Sequence, residues 1–252
     1  MRCHFRYLID NIFARRGAIV GKIPRTIIYN KDLGEKRVLF YLYIYFAVSR
    51  SRELIIIINE AIKSIGYRPN AQRGRINDEF ICFLSFLVDG GYIKVIRKQK
   101  GYIKYQALQK MDEAPFGIIR YDEYRKIIKG ASNKTAALLL LAFLRLNSYK
   151  RTDKNDKQPE VYFCHLSELP NKLGLSSRAV SSSLNALSSL GLIHSEEQRR
   201  YQDKYGNWHS GVYLFIDKVK YNNEEIDQSY NWQKEFELAS KWLMREQAKY
   251  ND

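Results

Sequence analysis

Ser177, Arg178, Ser181, Ser182 and Asn185 are spaced i, i+1, i+4, i+5 and i+8, which puts all five on one face of a helix. Val180, Leu184 and Leu187 recur at core spacing on the opposite face, and Ser176 is the expected N-cap. Short hydroxyls, an amide and one guanidinium suit a helix that must lie close in the major groove of DNA. Arg178 can read a guanine or hold a phosphate. Serine-rich exposed faces also occur on helices that bind nothing, so the face must be weighed with the rest of the chain.

Cations in turns supply the complementary chemistry, a grip on phosphates. Arg68, Arg73 and Arg75 precede a helix expected to start at Asn77, and Arg97, Lys98, Lys100 and Lys104 surround an expected hairpin turn at Gly101. Arg199, Arg200 and Lys204 approach a second hairpin tip at Gly206-Asn207, followed by Trp208 and His209. Trp208 either stacks on an exposed base or packs back on its strand. Asp78 and Glu79 suit the start of a helix dipole but repel phosphates. The expected division of labour gives backbone grip to the first set and base contact to the helix after Ser176.

Catalytic constellations do not emerge. His4, His165, His194 and His209 are far apart in sequence, and with Cys3, Cys82 and Cys164 they form no zinc-finger spacing and no H-E-x-x-H. Gly17 to Lys22 has three residues between its glycines where a phosphate loop needs four, and Ile23 stands where a hydroxyl is required. The chain is therefore expected not to be an enzyme and to need no cofactor or metal. Cys82 and Cys164 sit in apolar segments and are expected to be reduced core thiols.

The elements that would position these residues repeat. Leu84 to Ile93 parallels Leu184 to Ile193 at an offset of 100, each an apolar helix stopped by a glycine, Gly91 or Gly191, before an apolar strand. Upstream lie long apolar helices, roughly Glu35 to Ser49 and Asn133 to Asn147. Short strands follow, Leu54 to Ile58 and Val161 to Cys164, and then short helices closing at Gly66 and Gly174. Helix, strand, helix, turn, helix and hairpin is the order of a winged helix-turn-helix. Phe116 to Ile119 and Tyr121 to Ile128 read as a strand and short helix resembling Ile23 to Asn30.

The expected fold class is thus α+β, mainly α: two winged helix-turn-helix domains in tandem plus a C-terminal amphipathic helix. Residues 1–22 form a basic segment, 23–110 the first domain, 111–132 a linker or entry element, 133–222 the second domain and 223–252 the terminal helix. The 252 residues carry a formal charge of +15, which favours polyanionic partners. Residues 1–110 hold +13 of it, 111–222 hold +5 and 223–252 hold −3. The longest apolar run, Ala136 to Leu144, is too short to span a bilayer, so a cytoplasmic protein without membrane contact is expected.

With a long apolar helix opening each unit, the chain resembles the tandem winged-helix initiators of plasmid replication over roughly Ile23 to Asp217. Leu166 to Ser176 through Gly191-Leu192-Ile193 is similar to winged helices of phage and Gram-positive replisome organisers. The long arginine-bearing turn of the first unit departs from both groups. The resemblance implies origin recognition, with DNA and replication proteins as partners. A homodimer through the terminal helix, with its apolar side, or through the first domain is a further expectation. A transcriptional regulator and a protein-interaction module use the same units and remain alternatives.

Overall fold

The computed structural model describes residues 20–48, 52–70, 75–99, 101–112, 115–148, 160–197, 201–202, 208–209 and 212–216. Residues 1–19, Arg73, Lys100, Arg199, Arg200, Lys204 and the expected terminal helix at 223–252 lie outside them.

The protein has an α+β fold, mainly helical, with small antiparallel sheets. Its first half runs β1 (Val20–Pro24), α1 (Arg25–Tyr29), α2 (Arg37–Ala47), β2 (Glu53–Ile56), α3 (Ile58–Ser64), α4 (Arg75–Asp89), β3 (Ile93–Gln99) and β4 (Tyr102–Ala107). The second half runs β5 (Phe116–Arg120), α5 (Tyr121–Gly130), α6 (Lys134–Asn147), β6 (Glu160–Cys164), α7 (Leu169–Leu173) and α8 (Ser177–Ser189). Strands β7 (Ile193–Glu197), β8 (Tyr201–Gln202), β9 (Trp208–His209) and β10 (Val212–Ile216) complete it.

Each half builds one three-stranded antiparallel sheet in the same order, β2-β4-β3 and β6-β10-β7, with the last strand in the middle. The helices before the sheets end alike because both stop at a left-handed glycine. Gly91 has φ 72° and Gly191 φ 65°. The Tyr92 and Leu192 amides then reach back to Leu87 and Leu187 carbonyls at 2.8 and 2.9 Å, satisfying groups that helix ends otherwise leave bare. Ser176 caps α8, its Oγ accepting from the Ala179 amide at 3.2 Å.

The entry strands join the halves. β1 pairs antiparallel with β5, and Lys22 lies opposite Ile118, the middle residue of each. A local two-fold axis therefore passes through that pair. Equivalent glycines hug the core helices: a Cβ on Gly21 would meet the end of Leu42, and one on Gly117 the backbone oxygen of Ala142.

The two-fold relation extends into the core. Phe46 of α2 packs on Tyr121 and Tyr124 of α5 at 5.3 and 5.4 Å, while Phe143 of α6 packs on Tyr29 of α1 at 5.7 Å. Arg37, at the start of α2, donates to the Leu173 carbonyl at the end of α7 at 2.8 Å. Lys134, at the start of α6, donates to the Ile65 carbonyl just past α3 at 2.8 Å. Each core helix thus caps the other half's third helix with a cation, where the helix dipole favours one. Residues 135–145 of α6 are buried throughout, so one core serves both halves. A buried bidentate pair, Arg145 to Glu123 with both bonds at 2.6 Å, fastens α6 to α5.

Candidate nucleic-acid interface

The face expected on α8 exists as spaced. Val180 and Leu187 are buried and Leu184 is half-buried, which turns Ser177, Arg178, Ser181 and Asn185 outward. Ser182 is half-buried, and its Oγ lies 3.4 Å from the Ser132 hydroxyl in the turn after α5. The face is one wall of an open groove of about 570 Å³. Gly130 and Ser132 line it from the α5 side, and Arg178, Ser181, Ser182, Asn185, Ala186 and Ser189 line the α8 side. Arg178 is the one cation in that lining. Gly130 and Ser132 escaped the sequence reading because nothing local ties the end of α5 to α8.

The short helix α7 holds α8 in place through buried Leu169 and Leu173. Lys172 bonds Glu168 at 2.6 Å; this bond raises the lysine pKa and lowers that of the carboxyl. The Lys172 charge is therefore answered within the pair.

The first half presents a different surface. Helix α4 begins at Arg75 rather than Asn77. Its core positions Ile76, Phe80, Phe83, Leu84 and Leu87 leave Asp78, Ile81, Cys82 and Ser85 outward. Cys82 was expected in the core and is instead exposed, because it falls on the stripe between those positions; Cys164 is buried as expected. Burial pushes the Cys164 thiol up to about 12. Glu79 bonds Lys36 at 2.8 Å and Arg75 at 3.1 Å, so that acidic group is answered inside the protein.

Arg68 is exposed in the turn before α4, and Arg97 and Lys98 are exposed on β3, an edge strand with a bulge between Val95 and Arg97. Lys104 lies within β4, clear of the hairpin tip, and pairs with Glu53 of β2 at 2.8 Å. The hairpin turn does fall at Gly101, with φ 94°. The structure thus gathers Arg178, Ser181, Ser182 and Asn185 into one groove, leaves Ser177 exposed outside its lining, and leaves Arg68, Arg97 and Lys98 spread along the other half.

Among the described residues no group of three His, Cys, Asp or Glu side chains could hold a metal ion. No helix among them is long and apolar enough to cross a membrane. No protein-family model matches the chain, and no curated protein or solved structure matches it.

Proposed function

We propose that the chain is a tandem winged-helix protein that binds double-stranded DNA, with α8 as its principal reading helix. The observation that carries this reading is the exposed Arg178, Ser181 and Asn185 face of α8, held in front of a three-stranded sheet whose order recurs in the other half. A helix so presented can enter the major groove, where Arg178 would pair with a guanine and Asn185 with an adenine. Arg68, Arg97 and Lys98 would hold phosphates and set orientation without reading sequence. α4 and α8 hold the same place in the element order of the two halves and carry different outward faces, so the DNA site should have two unlike parts.

Origin recognition is the role the resemblance to plasmid and phage replication proteins supports, with no catalytic step in this chain. Selecting bound duplexes from a random pool and footprinting them on neighbouring DNA tests both levels. A bipartite site repeated as a direct array supports initiation, a single operator at a promoter supports regulation, and no enriched sequence overturns base reading.

A second reading applies to the first half alone. The outward face of α4 carries Asp78, Ile81 and Cys82, with Ile81 46% exposed, chemistry better suited to a protein surface than to phosphates. If it docks protein, substitutions there leave DNA affinity unchanged.

A further inference from the structure

The groove beside α8 has a second wall that the reading above does not use. Gly130, at the end of α5, and Ser132, in the turn after it, line the same opening as Arg178 and Asn185. Lys129 directly precedes Gly130, and Lys126 lies four residues before it on the same helical stripe. Both lysines are exposed. A helix about 10 Å across nearly fills a major groove about 12 Å wide, so the sugar–phosphate strands run along its flanks. One of those strands would occupy this groove and pass the last turn of α5.

We propose that the C-terminal end of α5 is a second phosphate-binding element, with Lys126 and Lys129 neutralising one strand of the duplex that α8 reads. The proposal rests on α8 facing DNA and adds residues from outside both expected winged helices. It also divides the roles around the groove: Arg178 on α8 reads a base, while the two lysines of α5 hold the strand that runs beside it. The competing role for Lys129 is structural, because a cation in the last turn of a helix is favoured by the helix dipole.

The test is a titration of the full chain with a duplex bearing its selected site at several salt concentrations, for wild type and the Lys126→Gln/Lys129→Gln variant. Each lost phosphate contact removes about 0.9 from the slope of log affinity against log salt, so the double variant should be shallower by about 1.8. Lys126→Gln alone, one turn further from the helix end, should lose about 0.9. Lys126→Arg/Lys129→Arg should keep the wild-type slope. Unchanged slopes in the glutamine variants overturn the proposal, including the case in which only the melting temperature falls. A wild-type chain with no salt-dependent affinity for duplex overturns the underlying DNA reading instead.

Discussion

The Lys134 ammonium donates at 2.8 Å to the carbonyl of Ile65, just past the end of a helix in the other half of the chain. It also lies 4.3 Å from the centre of the Tyr67 ring, and burial lowers its pKa. Arg37 makes the reciprocal contact with Leu173 and adds bonds to the Ile28 and Gly34 carbonyls. The cations exchanged between the halves, with the β1–β5 pairing, tie both halves to one buried core.

Removing these cations should destabilise the protein unequally. Arg37 is 1% exposed and serves three carbonyls, so Arg37→Met leaves several buried acceptors bare and should cost about 3 kcal/mol. Lys134→Met should cost about 1 kcal/mol. Urea unfolding should show one transition for both variants and for wild type. Two separated transitions would mean that the halves are independent domains.

The buried Glu123–Arg145 pair gives a sharper contrast. Glu123→Gln leaves a guanidinium without its counter-charge in the core and should cost about 3 to 5 kcal/mol. The combined Glu123→Leu/Arg145→Met variant removes both charges and should recover most of that loss in the same unfolding measurement. An equal or larger loss in the double variant would contradict the account.

The equivalent glycines should differ in tolerance. At Gly117 the obstacle to a Cβ is the backbone of α6, which cannot yield, whereas at Gly21 it is the end of the Leu42 side chain. Gly117→Ala should therefore lower stability by about 2 to 3 kcal/mol, and Gly21→Ala by clearly less. Thermal unfolding compares them directly.

Cysteine alkylation reads the orientation of α4. Cys82 is exposed, while burial keeps the Cys164 thiol neutral across the ordinary pH range. Iodoacetamide at pH 8 should modify Cys82 in the native protein and Cys164 only after denaturation, as followed by peptide mass mapping. Early labelling of Cys164 would show that the second unit opens at β6.

Local signals survived from sequence to structure, and distant ones did not. Gly91 and Gly191 were legible because a helix end is decided by a few neighbouring residues. The Cys82 orientation was legible in principle: Phe80, Phe83, Leu84 and Leu87 already define a core stripe that excludes it. The likeness of Val-Gly-Lys-Ile-Pro at β1 to Phe-Gly-Ile-Ile-Arg at β5 sits at an offset of 96, displaced from the 100 of the helix ends by unequal loops. The Arg37–Leu173 contact spans 136 residues and left no local trace. Neither did the approach of Ser132 to Ser182, so the groove's second wall could be seen only in three dimensions.

The central claim is that α8 reads duplex DNA, and the most direct measurement compares Arg178→Ala/Asn185→Ala with wild type on the selected duplex and on a scrambled one. The account predicts that wild type prefers the selected site, and that the variant loses most of that preference while keeping affinity for the scrambled duplex and its salt slope. Equal affinity of wild type for the two duplexes, or a variant that retains full preference, would contradict it.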